Sequence, residues 1–163
     1  GPLTFFARFT NLRELHLSPG GSHQSRVFGS LADLGSLLSL AVLDLGSCPR
    51  IGGNIASLAE MRGLTKLDLT TENDDDGHEK NQNFTGDIGV LAGMPKLAEV
   101  LLGDCKMLTG DLGSLSGAAG LRLVDVRRCE KLTGSLSIFE GKAKLRELNL
   151  RSMPKITGSL SSL

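Results

Sequence analysis

The chain of 163 residues contains no Trp, no Tyr and only six Phe, so its core depends almost entirely on aliphatic side chains. It has no apolar run close to the roughly 20 residues that a transmembrane helix needs. Its net charge is zero, which provides no general attraction for nucleic acid or for an anionic membrane. We therefore expect neither as a partner.

Recognisable catalytic and metal-binding motifs are missing as well. The chain has no G-x-x-x-x-G-K phosphate loop and no H-E-x-x-H zinc motif, and residues 113–117 depart from a nucleophile elbow because the central residue is leucine. No two cysteines have the C-x-x-C spacing of many metal sites. Of the three histidines, His16 is expected on a strand, and His23 and His78 lie outside the regular repeat pattern. We expect no catalytic residue, no metal site and no cofactor.

Leu and Gly recur at regular intervals. The pattern L-x-x-L-x-L, with Val at some positions, begins six times, at Leu12, Leu40, Leu64, Leu97, Leu121 and Leu145. Alternating apolar and polar residues within it predict a short strand. An apolar residue followed by Thr-Gly recurs later in the unit, and its glycine is expected to turn the chain where a Cβ would clash or φ must be positive. Such glycines are Gly110, Gly134 and Gly158.

These motifs resemble the leucine-rich-repeat family over residues 3–163. The first half of the unit, as in 121–129, resembles the cysteine-containing class, and the Leu-Thr-Gly half resembles the plant-type class. The resemblance implies one α/β solenoid over residues 1–163, with a parallel sheet on the concave face and short helical or irregular turns on the convex face. Both ends fall inside a repeat, which predicts exposed apolar ends and end-to-end self-association.

Two insertions lengthen the regular repeat, at 18–26 and 71–83. Both follow a predicted strand, so we expect them to leave the solenoid at the same edge. The second contains a strongly polar stretch, 74–80, which has too few apolar groups to offset the entropy cost of ordering. This stretch is predicted to be the most mobile part of the chain.

The resemblance implies a protein–protein interaction module, such as a signalling scaffold, with its partner on the concave face. A rigid sheet presents side chains at low entropic cost, which suits this role. Two alternatives remain open, because a fold does not by itself define a function. One is a regulatory or targeting segment of a larger enzyme of the kinase or ubiquitin ligase type, and the other is a structural spacer.

Strand residues two, four and six positions after each leading leucine are expected to face solvent on the concave side. Two leucines in neighbouring repeats, flanked by arginines, resemble the apolar centre and polar rim of an interface. The opposite end of this face carries acidic residues. The predicted partner-binding residues are Leu101, Leu123, Asp125, Arg127, Arg151 and Asp68.

The three cysteines, Cys48, Cys105 and Cys129, each lie eight residues after a leading leucine. This shared position predicts reduced thiols, buried in the turn after the strand and bonded to loop backbone. An odd number of equivalent thiols favours a reducing compartment, so we expect a cytoplasmic protein. The triplet 83–85, Asn-Phe-Thr, is a glycosylation sequon and favours the extracellular alternative.

Overall fold

The structure is a computed structural model that describes residues 1–19, 25–71 and 84–159. Over these residues the chain alternates between strands of two to four residues and 3-10 helices of four to six residues. No helix in the described ranges is both long and apolar enough to cross a membrane. The stretch 74–80, His23 and His78 lie outside the described residues.

One strand follows each leading leucine, and these six strands form one parallel sheet in chain order. In the middle strands the central residue is fully buried, as Leu43 is, while the residues on either side are half-buried, except for the buried Asp125. This alternation is the one that the sequence predicts, and the predicted sheet is confirmed. The strands are β1 Glu14–His16, β3 Val42–Asp44, β5 Lys66–Asp68, β7 Glu99–Leu101, β9 Leu123–Asp125 and β11 Glu147–Asn149.

A second parallel sheet is built from the segments around the apolar-Thr-Gly motif, where the sequence predicts only turns. Equivalent segments of neighbouring repeats pair with each other, as Gly86 does with Leu108. The pairing arises because a fixed repeat brings the same backbone segment of each unit within strand-pairing distance of the next. The strands are β2 Gly29–Ser30, β4 Ile51–Asn54, β6 Phe84–Asp87, β8 Leu108–Asp111, β10 Leu132–Ser135 and β12 Ile156–Thr157.

Short 3-10 helices connect the second sheet back to the first, in agreement with the predicted short helical turns. They span Leu3–Arg8, Leu31–Leu34, Ile55–Leu58, Ile88–Gly93, Leu112–Leu115 and Leu136–Phe139. A polar residue immediately before five of them accepts a hydrogen bond from the backbone N–H two residues later, which satisfies one free donor of the helix. The capping residues are Ser30, Asn54, Asp87, Asp111 and Ser135.

The glycine of the Thr-Gly motif is required by the cap of the preceding repeat. Gly110 has φ of +110°, and a Cβ at this position would overlap Oδ1 of Asp87. Gly86 has φ of +101°, and a Cβ there would overlap Oδ1 of Asn54. The predicted positive φ is confirmed at Gly110, Gly134 and Gly158, and the predicted clash of a Cβ is confirmed at Gly110 and Gly134. Gly110 and Gly134 lie in paired strands and not in free turns.

The apolar residues of successive repeats merge into one continuous core. The inner leading leucines, such as Leu40 and Leu121, have no exposed surface, whereas Leu12 and Leu145 in the outer repeats are only half-buried. At the N-terminal end, Phe9 is 42% exposed. Inner repeats are covered on both sides and outer repeats on one. These exposures agree with the predicted apolar ends, and end-to-end self-association stays a prediction.

Lys142 occupies a ladder position that is apolar in the other repeats. Its Nζ donates hydrogen bonds to the carbonyl oxygens of Ser116 (3.0 Å) and Ala118 (3.1 Å). Burial lowers the pKa of Lys142. The long aliphatic stem can therefore pack with the core while the ammonium group reaches carbonyl groups of the preceding repeat.

Candidate partner-binding surface

The outward-facing residues of the first sheet, which we call the strand face, lie in straight columns across the strands. Register pairing places Glu99 beside Leu123 and Leu101 beside Asp125. Leu101 and Leu123 are therefore diagonal neighbours on adjacent strands, and both are half-buried. The column four residues after each leading leucine contains His16, Asp44, Asp68, Leu101, Asp125 and Asn149.

Four strands end in the same local hydrogen bond. The side-chain oxygen of the last strand residue accepts from the backbone N–H two residues later, at 3.0–3.2 Å. This Asx turn leads the chain out of the strand. This turn explains the acidic residues at the end of the strand face that lies opposite the leucine pair. The four residues are Asp44, Asp68, Asp125 and Asn149.

Leu101 ends its strand in the same column, but a leucine has no oxygen that could accept this bond. The chain turns there without it, since the N–H of Asp104 donates to the carbonyl oxygen of Arg127 at 2.9 Å. An Asp or Asn at this position would serve the turn better than leucine does. Neither the strand nor the turn accounts for a half-exposed leucine here.

The prediction that Asp125 is exposed is wrong, because its side chain is only 8% exposed. The guanidinium of Arg127 pairs with the Asp125 carboxylate and lies 3.4 Å (Nε–Oδ2) from Asp104. Arg128 approaches Asp104 from the other side, with Nη1–Oδ1 at 3.2 Å. The two buried carboxylates are thus neutralised within the protein, and Arg127 supports the fold at this edge.

Asp104 is not among the functional residues predicted from the sequence. Its only signal is the offset of 24 residues to Arg128, which places the two in the same column of adjacent repeats. Gly103 contributes space, because a Cβ there would lie 3.2 Å from Cζ of Arg127. The network therefore depends on two acids, one glycine and two arginines from two repeats.

A second charged group lies beside the leucine pair. Oε1 of Glu99 accepts from Nη2 of Arg122 at 2.9 Å, and Oε2 lies 3.9 Å from Nζ of Lys66. Arg151, by contrast, is exposed, and no carboxylate of the described residues lies within ion-pair distance of it. The structure thus places Leu101 and Leu123 on adjacent strands, and Arg151 two residues beyond the end of the following strand, Glu147–Asn149.

Asp68 lies two strands from Leu123, towards the N-terminal end of the strand face. Burial, followed by the charge of Asp44, raises the pKa of the Asp68 carboxyl group. A hydrogen bond from the N–H of Thr70 lowers this pKa, but its effect is smaller than that of burial. The ionised form of Asp68 is therefore unfavourable in the folded state.

Replacement of Asp68 should stabilise the protein at neutral pH. The pKa of Asp68 is higher in the folded state than in the unfolded state. The contribution of this carboxyl group to stability is therefore complete at a pH below the unfolded-state pKa, and it is lost as the pH rises through the folded-state pKa. Asp68→Asn removes this loss and keeps the Asx turn, which Asn149 also makes. We expect a gain of the order of 0.5 kcal/mol at pH 7, measured by urea unfolding. No gain at pH 7, or an equal gain at pH 3, would contradict this explanation.

The predicted environment of the three thiols is confirmed. All three cysteines are buried and unbridged, and each Sγ donates to a backbone carbonyl oxygen of the preceding repeat at 2.9–3.1 Å. Burial raises the pKa of Cys48, raises that of Cys105 well above its usual range and raises that of Cys129 to about 12. The thiolate that reacts with electrophiles is therefore scarce at all three positions.

A thiol titration should give no fast reaction in the native protein. At pH 8, a pKa of about 12 leaves roughly one Cys129 thiol in 10,000 ionised. We expect no labelling by a disulfide reagent within minutes under native conditions, and three thiols per chain after unfolding in guanidinium. Exposed Ser116→Cys is the positive control and should add one fast thiol. Fast labelling of the unmodified protein would show that these thiols are accessible.

His16 is exposed, and its Nδ1 lies 3.6 Å from Oδ2 of Asp44. Within residues 1–19, 25–71 and 84–159, no three His, Cys, Asp or Glu side chains form a group suited to a metal ion. The strand face of these residues therefore offers apolar contacts, hydrogen bonds and ion pairs.

No family model and no curated protein matches this chain. Its fold does match solved structures of receptor kinases from Arabidopsis thaliana. The ectodomain of GASSHO1 aligns with a TM-score of 0.59 and 18% identity, over 90% of this chain and 19% of that one. The ectodomain of SOBIR1 gives 0.61 and 20%, over 83% and 71% of the two chains. HAESA gives 0.61 and 22%, over 90% and 22%.

A bacterial protein has a similar fold. The functional domain of InlJ from Listeria monocytogenes aligns with a TM-score of 0.52 and 18% identity, over 91% of this chain and 32% of that one. The present chain spans about one fifth of the GASSHO1 and HAESA structures. At such identities the likeness concerns the fold alone. Together with the two parallel sheets and the repeated leucine core, it establishes that the chain has the leucine-rich-repeat fold, as found in plant receptor ectodomains and in Listeria internalins.

Proposed function

We propose that this protein is a protein-binding module that holds its partner on the strand face, around Leu101 and Leu123. The observation that carries the proposal is Leu101, a half-exposed leucine in a column where four other strands end in an Asx turn. Folding favours a polar residue at this position. An apolar partner contact supplies a reason for leucine.

The surrounding residues support an interface at this point. Leu123 is the diagonal neighbour of Leu101, and charged groups surround the pair, as in an apolar centre with a polar rim. The HAESA structure contains a peptide hormone and a co-receptor, so a protein with this fold can act in recognition. Arg151 and Asp68 lie at the margins of the proposed site, whereas Asp125 and Arg127 act by keeping this edge of the sheet in place.

Substitution of Leu101 separates binding from folding. Leu101→Asn should reduce partner affinity at least tenfold, because a central apolar contact costs about 2 kcal/mol or more when it is lost. The melting temperature should stay the same or rise, since asparagine can accept from the N–H of Gly103 as Asn149 accepts from Arg151. The measurement is quantitative affinity capture from the native source by wild-type and variant proteins, with melting curves of both.

Leu38→Asn is the matched control. Leu38 is 54% exposed and lies in the turn after the helix Leu31–Leu34, away from the strands. We expect this variant to retain every protein that wild type captures. If both variants capture the same proteins in the same amounts, the partner does not use Leu101 and the proposed site is wrong.

A second candidate function is the recognition segment of a larger receptor kinase. It is favoured by the fold match to three receptor kinases, two of them as ectodomains. The test is to read the complete coding sequence for a membrane anchor and a kinase domain. Their absence would leave an independent module or a structural spacer, and a spacer would tolerate Leu101→Asn without loss of any partner.

The compartment is a separate proposal. We propose a reducing compartment, because the three cysteines are buried at equivalent positions and none of them forms a disulfide. Glycosylation of the Asn-Phe-Thr sequon at 83–85 would favour the extracellular alternative. Its Phe84 and Thr85 lie in β6, and residue 83 is outside the described ranges. A mass shift after treatment of the native protein with an endoglycosidase would overturn the proposal.

A further inference from the structure

The arginines near the leucine pair fall into two groups. Arg122, Arg127 and Arg128 each pair with a carboxylate of the protein. Arg146 and Arg151, in the repeat that begins at Leu145, are exposed, and no carboxylate of the described residues lies within ion-pair distance of either. Among the described residues, these two guanidinium groups therefore have no counter-charge.

Comparison with Arg127 shows why Arg151 has no carboxylate partner among the described residues. Both arginines lie six residues after their leading leucine, one repeat apart. Arg127 has an acid in its own repeat, Asp125, and another in the preceding repeat, Asp104. At the corresponding places Arg151 has Asn149 and Arg128, one neutral and one cationic. The Asx turn is kept by asparagine, while both neutralising charges are lost.

The net charge of the C-terminal part of the chain is positive as well. Residues 121–159 contain nine Lys and Arg against four Asp and Glu, a net charge of +5, although the whole chain is neutral. Such a local excess attracts acidic partners and repels basic ones. The arginine side chain is also well suited to carboxylates, which it binds through two parallel hydrogen bonds.

We propose that the partner contributes an acidic segment with an apolar anchor. The anchor packs on Leu101 and Leu123, and side-chain carboxylates of the same segment pair with Arg151 and Arg146. From β7 to β11 the sheet advances two strand spacings, about 10 Å. Roughly three residues of extended chain cover that distance, so one short segment crosses from Leu101 to the strand that Arg146 and Arg151 flank. This inference rests on the proposed function and adds the chemistry of the partner.

The test uses three synthetic peptides, acetylated and amidated so that only side chains carry charge. The first is Gly-Leu-Leu-Gly-Asp-Glu-Gly; the second has Asn-Gln and the third Lys-Lys in place of Asp-Glu. Each carries a fluorophore, and binding is measured by anisotropy at 50 and 300 mM salt. We expect the acidic peptide to bind at least about tenfold more tightly than the neutral one at 50 mM salt, with a smaller ratio at 300 mM.

Variants distinguish the inference from the proposed function. The double variant Arg146→Gln, Arg151→Gln should bring the acidic peptide to the affinity of the neutral one, whereas Arg50→Gln, the same kind of change at the opposite end of the solenoid, should preserve the ratio. Leu101→Asn should weaken the neutral and acidic peptides alike. Melting curves of all three variants verify that they are folded.

Several outcomes would overturn the inference. If acidic and neutral peptides bind equally and Leu101→Asn weakens both, the apolar site holds and the acidic chemistry is wrong. If no peptide binds, or if heparin competes fully while Leu101→Asn has no effect, the arginines form at most a general polyanion surface. If no peptide binds, or if heparin competes fully while Leu101→Asn has no effect, the proposed function also loses its support at Leu101 and Leu123.

Discussion

Gly110→Ala should lower the melting temperature by roughly 10 °C, the largest effect that we expect for a single added methyl group. The φ of +110° at Gly110 is unfavourable for alanine and costs roughly 1–2 kcal/mol. The new Cβ would also overlap Oδ1 of Asp87, which caps the helix Ile88–Gly93, and loss of a cap costs about 1 kcal/mol. Together these give about 3 kcal/mol, at roughly 2–4 °C per kcal/mol for a chain of this size.

Two companion variants isolate the cause. Gly117→Ala is the matched control, because Gly117 does not have a positive φ and its Cβ would have no atom within 4 Å. It should leave stability unchanged or raise it slightly. In an Asp87→Ser background the cap is kept with a shorter side chain, as at Ser135, and Gly110→Ala should cost less there. Equal melting temperatures for Gly110→Ala and Gly117→Ala, measured by circular dichroism, would refute the steric argument.

Arg127→Glu should destabilise the protein by roughly 3 kcal/mol. Arg127 is one of the partner-binding residues predicted from the sequence. On that prediction alone, its substitution would weaken binding without affecting stability. In the structure its guanidinium neutralises Asp125 and contacts Asp104, whose side chains are 8% and 5% exposed. A glutamate would leave one buried carboxylate without its arginine and bring a third negative charge beside the pair. The free energy of unfolding, from urea denaturation, is the quantity to compare.

Arg151→Glu is the matched control at the same position of the next repeat. Arg151 is exposed and makes no ion pair with the described residues, so its reversal should change stability by less than about 0.5 kcal/mol. Arg127→Gln removes the charge without reversing it and should fall between the two. If Arg127→Glu and Arg151→Glu had the same stability, the Asp104–Arg127–Asp125 network would contribute nothing to folding.

Much of the fold follows from the period of the sequence. A leucine pattern that restarts every 24 residues, or after 28 or 33 residues where an insertion intervenes, places one strand after each leading leucine. The alternation within a strand decides which residues enter the core, as Leu43 does. The equivalence of Cys48, Cys105 and Cys129 was enough to predict three similar buried thiols. These features depend on the position of a residue within its own repeat, and that position can be read directly from the sequence.

Features that join two repeats were decided by the tertiary structure. The second sheet forms because equivalent segments, each too short to be stable alone, align side by side when the repeats stack. The column of acids proved to be a series of Asx turns, which left Leu101 as the exception. Arg127 and Arg151 occupy the same position of the repeat, yet Arg127 is neutralised and Arg151 has no counter-charge among the described residues, because the adjacent residues differ between the two repeats. A sequence periodicity determines what each repeat is, whereas the charge and burial of a side chain depend on what the adjacent repeat places against it.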